Sequence, residues 1–274
     1  MITHIAGVRD GAAVCFFDID GTLIRTSKES GTVDEAPLTE VAEALRAFVD
    51  DGNVALISTG RGPAVINPHI RELPFAGMVA VDGAYVELAG QALVNRTLPQ
   101  ELLRAFCEEV IALRLCCLFE GCDVFWRLAG RPKNWQNNDP VYYSPEELFR
   151  ENPAPGVGKI IVQDDDWDVW RSQTKLAGRF DIYDAGQRTY ELVPPGSSKG
   201  VGARLLLDQL PFRPGHVMCF GDSMNDLPVF DVCDVRVAMG NAPDEVKAQA
   251  THVCASVYEA GVASGLAELD HLWR

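Results

Sequence analysis

The chain has 274 residues, 47% of them hydrophobic and 23% charged, a globular composition that excludes a disordered chain. Its formal net charge of −15 excludes nucleic acid as a partner, because that binding needs Lys and Arg to neutralise backbone phosphates. The N-terminus lacks a basic stretch followed by an apolar run, and no apolar segment approaches the roughly 18 residues that cross a bilayer. The expected compartment is therefore the cytoplasm, with no membrane partner.

Eight cysteines stand at positions 15, 107, 116, 117, 122, 219, 233 and 254. Several lie inside apolar runs, where a thiol behaves as a small hydrophobe. No Cys-x-x-Cys pair or histidine sits at zinc-site spacing, so buried reduced thiols are expected.

In chain order, residues 13–19 form a short apolar run ending in acidic residues, which predicts a buried strand. Residues 37–51 carry Leu38, Val41, Ala42, Leu45, Phe48 and Val49 at helical spacing and stop at Asp51-Gly52. Strands are predicted at 54–57 and 78–81. Short buried strands alternating with helices give an α/β class, a doubly wound, Rossmann-like parallel sheet.

The pattern then changes. A hairpin at 85–88 and 92–94 turns around Ala89-Gly90, and a helix follows at 99–113. Strands are predicted near 115–119 and 124–128, then a polar stretch over 131–140 and a short helix at 145–149. Next come a strand at 159–162, a helix at 167–177, and strands at 179–183 and 189–193. This middle section reads as α+β. After Pro194-Pro195-Gly196 the parallel pattern resumes with a helix at 199–210 and a strand at 216–220. A strand at 235–238, a helix at 243–249, a strand at 251–253 and a helix from Ser256 complete it. The expected organisation is a core of residues 1–84 and 189–274 carrying an inserted α+β cap domain, residues 85–188.

Chemistry is concentrated at strand ends. Asp18-Ile19-Asp20-Gly21-Thr22-Leu23 follows a buried strand, and in an open α/β sheet ligands bind beyond the carboxyl ends of strands. Asp18 and Asp20 project from the same side until the chain turns at Gly21. Two carboxylates held together repel, so one pKa rises while the other stays low. That pairing supplies a nucleophile, Asp18, and a general acid/base, Asp20. Gly221-Asp222-Ser223-Met224-Asn225-Asp226 also lies at a strand end. Hard divalent cations take oxygen ligands, and magnesium keeps several waters. Asp222 is the expected direct ligand beside Asp18, with Asn225 and Asp226 one layer out or holding waters.

These residues resemble the haloacid dehalogenase superfamily at four stations in order: Asp18-x-Asp20-Gly-Thr, Thr59-Gly60-Arg61, Lys199, and Gly221-Asp222-Ser-Met-Asn225-Asp226. The resemblance implies that Thr59, with Gly60 beside it, binds the transferring phosphoryl group. It also implies that Lys199 neutralises both nucleophile and phosphate, and that the main-chain carbonyl of Asp20 joins a Mg2+ shell. Dehalogenating members lack the second Asp, so Asp20 points to phosphate esters. About 140 residues separate Thr59 from Lys199, and that spacing places the cap there. With Ser58-Thr-Gly-Arg and Gly221-Asp-Ser-Met-Asn-Asp-Leu-Pro, the chain looks like the Cof-type branch, which mostly acts on sugar phosphates. It departs from that branch at Asp82-Gly83-Ala84, where Asn-Gly-Ala is usual.

The expected activity is a magnesium-dependent phosphatase acting on a small phosphorylated metabolite through an aspartyl phosphate. The alternatives are a phosphomutase or phosphotransferase of phosphosugars, or a non-catalytic phosphosugar sensor. Specificity is expected from the cap, where residues 134–139 (Asn-Trp-Gln-Asn-Asn-Asp) offer hydroxyl-binding side chains or a solvated loop. Oligomeric state is not legible.

Overall fold

The computed structural model describes residues 5–27, 32–34, 36–133, 139–185 and 188–274, arranged as two compact units. The first comprises Met1–Gly60, Ile66–Leu93 and Ser198–Arg274; the second comprises Arg61–Val65 and Val94–Ser197.

The strands, in chain order, begin with β1 (Val14–Phe17), β2 (Thr26–Ser27), β3 (Thr32–Val33), β4 (Val54–Ser58), β5 (Phe75–Ala80), β6 (Tyr85–Leu88) and β7 (Gln91–Asn95). They continue with β8 (Cys116–Gly121), β9 (Phe125–Ala129), β10 (Val141–Tyr142), β11 (Val157–Gln163), β12 (Asp181–Asp184) and β13 (Thr189–Val193). The last are β14 (Val217–Gly221), β15 (Val235–Ala238) and β16 (His252–Val253).

The first unit is built on an eight-stranded sheet in the order β16-β15-β14-β1-β4-β5-β6-β7. Pairing is parallel from β16 to β5 and turns antiparallel at β5–β6. The central strand β1 is buried at every position, as a strand covered on both faces must be. On one face Ala13, Cys15 and Phe17 share a core with Val41, Leu45 and Phe48 of helix Thr39–Asp50 and with Val262 and Leu266 of helix Gly261–Glu268. Val14 and Phe16 alternate to the other face. Helix Lys199–Asp208 packs on β5 and β6. Phe17 stacks on Phe220 at 5.2 Å and meets Phe48 edge-on at 6.4 Å; burying one such ring contributes about 1.5–3 kcal/mol. These rings fix the strand ends that carry the functional loops.

The second unit is a six-stranded sheet in the order β10-β9-β8-β11-β13-β12. One face packs on helices Gln100–Ala112 and Asp164–Gln173, with Phe106 against Phe119, Trp170 and Phe180 at 5.6–6.0 Å. The Trp170 indole donates to Glu109 Oε2 at 3.0 Å, which lets a buried indole keep its hydrogen bond.

The architecture is the α/β, doubly wound sheet with an inserted α+β unit that the sequence pattern predicts, but several boundaries differ. The hairpin β6–β7 extends the first sheet, and β13, which the expected limits assign to the core, pairs with β11 and β12. The boundaries between units fall at Gly60/Arg61, Val65/Ile66, Leu93/Val94 and Ser197/Ser198, the third of them inside β7. Strand β5 ends at Ala80 because Val81 and Asp82 adopt positive φ, 51° and 49°. The helix expected at 167–177 starts at Asp164 and ends at Gln173, three aspartates in its first turn complementing the helix dipole. The last helix starts at Gly261; Ser256 instead caps a short turn, and Ala260 at φ 53° separates the two. Residues 134–138 of the polar loop lie outside the described residues. Asp139 pairs with Arg127 at 2.8 Å.

No helix among the described residues is long and apolar enough to cross a membrane. Six of the eight cysteines are buried, and none forms a disulfide.

Candidate active site

Parallel pairing puts the C-terminal ends of β4, β1, β14 and β15 side by side. Those ends lead into Thr59, Asp18, Asp222 and Asn241, so four functional loops share one edge of the sheet.

After β1 the chain turns at once. The amides of Leu23 and Ile24 donate to the carbonyl of Ile19 at 2.9 and 3.0 Å, and Gly21 adopts φ 80°. A β-carbon at Gly21 would lie 2.3 Å from Asp222 Oδ2, so glycine lets the two loops touch. After β14, Asp226 accepts through Oδ2 from the amides of Asp222 and Ser223, each at 3.0 Å, closing a capping box with Ser223. Lys199 opens its helix, with Ser198 as N-cap accepting from the amide of Val201 at 3.1 Å. Gly83 abuts the Ser198 carbonyl so closely that a β-carbon would lie 2.0 Å from it.

These loops converge on the Lys199 ammonium. Its Nζ donates to Asp18 Oδ1 at 2.8 Å, Asp226 Oδ1 at 2.7 Å and Asn225 Oδ1 at 3.1 Å. The three charged groups are buried. Burial lowers the lysine's pKa, but Asp18, Asp226 and Asp82 outweigh it and hold the ammonium protonated. For Asp18, burial pushes the carboxyl well above the usual carboxylate range; Lys199 pulls it back, and Asp226, Asp222 and Asp20 push it further up.

Asp18, Asp222 and Asp226 each present an oxygen, all within 4.8 Å of one another, and all three are buried. One lysine does not balance three buried carboxylates, and oxygen donors of this kind suit a hard divalent cation. Asp226 already uses Oδ1 for Lys199 and Oδ2 for two amides, and the Asn225 carbonyl oxygen accepts from Lys199 and from Ser223 Oγ at 2.7 Å. These contacts let the two residues orient the loop. Asp20 lies half-buried beyond Asp18, its backbone bridged to Ile24. Thr59 is buried, donating its amide to the Val79 carbonyl at 2.8 Å, with Gly60 next in the chain.

Three further residues enter the site, and of these Asn241 alone lies outside the motifs read from the sequence. Asn241 donates to the Gly21 carbonyl at 2.8 Å and faces Asp222 Oδ2 at 3.4 Å, while its Oδ1 accepts from the amide of Val257 at 2.9 Å. Thr22 donates to Asp222 Oδ1 at 3.3 Å. Asp82 is buried and accepts from Asn225 Nδ2 at 3.4 Å. The signal for Asn241 is its place just beyond β15, a fourth strand end on the same edge.

A family model of haloacid dehalogenase-like hydrolases matches residues 15–266. The chain belongs to this family. Among relatives of this haloacid dehalogenase-like hydrolase, YkrA of Bacillus subtilis (strain 168) is 26% identical over 268 residues, 94% of this chain and 97% of its own. The 5-amino-6-(5-phospho-D-ribitylamino)uracil phosphatase YwtE of the same organism is 26% identical, covering 90% of this chain and 94% of its own. In structure, a hypothetical protein from Geobacillus kaustophilus HTA426 matches with TM-score 0.77 and 26% identity, over 95% of this chain and 99% of that one. The subclass IIB sugar phosphatase BT4131 shares the fold at TM-score 0.74 and 24% identity, over 94% and 98% of the two chains.

Proposed function

We propose that this haloacid dehalogenase-like hydrolase is a magnesium-dependent phosphatase that cleaves a small phosphorylated metabolite, a sugar phosphate or a close analogue, through an aspartyl-phosphate intermediate. The observation that carries the reading is the buried Asp18–Lys199 pair with Asp222 beside it. Relatives of nearly the same length include a phosphatase of a ribityl phosphate.

In this mechanism Lys199 holds one oxygen of Asp18 while the other attacks phosphorus. The ester P–O bond breaks as Asp20 protonates the leaving alcohol. Asp20 then takes a proton from water, whose oxygen attacks phosphorus and frees the Asp18 carboxylate. Thr59, Gly60 and Lys199 hold the phosphoryl oxygens. The carboxylates of Asp18 and Asp222 and the carbonyl of Asp20 would hold a magnesium ion, with Asn225 and Asp226 behind them. Bound there, it would supply positive charge to the phosphoryl oxygens and favour the ionised form of Asp18.

The test is phosphate release across sugar phosphates, nucleotides and cofactor phosphates by the wild-type protein and by Asp18→Asn. Turnover by the wild type and none by a folded Asp18→Asn protein is expected. Near-normal turnover by that variant would falsify the nucleophile assignment. Transfer of the phosphoryl group to a second sugar without phosphate release would identify a mutase instead.

A further inference from the structure

One side chain at the carboxyl edge of the first sheet commits its hydrogen bonds to the site, although no step of the reaction uses it. Asn241 follows β15 and is exposed. Its backbone is fixed by the segment that follows β16. The Gly240 amide donates to the Ala255 carbonyl at 3.1 Å, and a β-carbon on Gly240 would lie 2.7 Å from the Ser256 amide nitrogen. The side chain is then oriented by partners that each have one role. The Val257 amide can only donate, at 2.9 Å, and the Gly21 carbonyl can only accept, at 2.8 Å. Oδ1 therefore faces Val257 and Nδ2 faces Gly21, and the second Nδ2 hydrogen is directed to Asp222 Oδ2 at 3.4 Å.

Gly21 belongs to the turn after β1 and Asp222 to the loop after β14, so one amide joins the loops that carry Asp18 and Asp222. Thr22 Oγ1 donates to the other carboxylate oxygen, Asp222 Oδ1, at 3.3 Å. Both donors are uncharged. A lysine or arginine here would hold the carboxylate as firmly but cancel the charge that attracts a cation. An amide and a hydroxyl aim the carboxylate and leave its charge in place, as groups behind metal ligands do. Asn53, before β4, shows the contrasting use of an asparagine. It is 2% exposed, accepts from the Ala13 amide at 2.9 Å, and donates to the carbonyls of Phe48 and Trp273 at 3.0 and 2.8 Å. That amide holds backbone together; the exposed Asn241 holds an acid.

We propose that Asn241 is a positioning residue for the cation site, fixing Asp222 against the Gly21 turn so that Asp18 and Asp222 present oxygens to one divalent ion. It acts through Asp222 and not as a ligand. The inference rests on the magnesium reading above and adds a residue to it.

The test is isothermal titration of the substrate-free protein with magnesium chloride, for wild type, Asn241→Ala and Asn53→Ala, each with a thermal melt. Asn241→Ala is expected to weaken magnesium binding at least fivefold while its melt stays close to that of the wild type. Asn53→Ala is expected to lower the melt markedly and to leave magnesium affinity within twofold. A smaller loss of affinity in Asn241→Ala overturns the proposal. An equal or greater loss in Asn53→Ala also overturns it, because the effect then follows stability and not position. Failure of Asn241→Ala to fold overturns it as well, since the residue is then structural. Should Asn53→Ala not fold, the Asn241→Ala titration decides alone. Absence of magnesium binding by the wild type overturns the metal reading itself, and the proposal with it.

Discussion

The backbone of Gly21 passes directly beneath the Asp222 carboxylate, with room for a hydrogen and none for a methyl group. At φ 80° an alanine is also strained. Asp222 is held from both sides by Thr22 and Asn241 and has little room to yield. Gly21→Ala should therefore destabilise by about 1–3 kcal/mol and raise the magnesium concentration for half-activation. Urea unfolding and a magnesium titration measure the two effects.

Lys199→Met leaves Asp18 and Asp226 as buried charges with no ammonium between them. Breaking a buried pair by removing one partner costs about 3–5 kcal/mol. Turnover should vanish, and thermal unfolding should show the stability loss. A melt unchanged from wild type would contradict the pairing.

Chelation should abolish activity and magnesium should restore it, while calcium, with its larger and looser shell, should inhibit. Because three buried carboxylates present oxygens within 4.8 Å of one another, magnesium should also stabilise the folded protein. At a hundredfold excess over Kd the gain is about 2.7 kcal/mol, read as a rise in Tm.

Asp82→Asn converts the chain to the usual residue of its branch. Asparagine tolerates the left-handed backbone at φ 49° and keeps an oxygen for Asn225. One carboxylate fewer near Lys199 makes the site less repulsive to a dianionic phosphate. A KM lowered a few-fold, with stability within about 1 kcal/mol, is the expected result from steady-state kinetics and a thermal melt.

Thiol reactivity reports on packing. Burial pushes Cys107 and Cys254 up to about 12, so at pH 8 both stay protonated and inert. Only Cys122 and Cys233 are partly exposed. Labelling of the native protein with a thiol-specific chromophore should modify these two quickly and the other six only after denaturant is added.

The sheet was legible because a strand buried on both faces writes itself as an unbroken apolar run, as at Val14–Phe17 and Val54–Ser58. The strand ends were legible because carboxylates there have few structural uses. Boundaries set by tertiary pairing were not. Strand β13 alternates like any edge or hairpin strand, and only its pairing with β11 assigns it to the cap. The positive φ of Val81 and Asp82 also leaves no mark, since neither residue is glycine. Asn241 escaped notice because a lone amide in a loop has no spacing to betray it, although its contacts reach both the first loop and Asp222.

The five residues Arg61–Val65 belong to the second unit although they follow Thr59-Gly60 of the first. The cap is therefore not one contiguous insert but two separate pieces of polypeptide. A chimera made by exchanging only residues 94–197 with a relative would set a foreign sheet against the native Gly62 and Ala64. Those residues fit Gly121 and Cys122 with no space to spare. Exchange of this unit among such enzymes has to move the short piece with the long one, so what is transferred is a pair of gene fragments rather than a cassette.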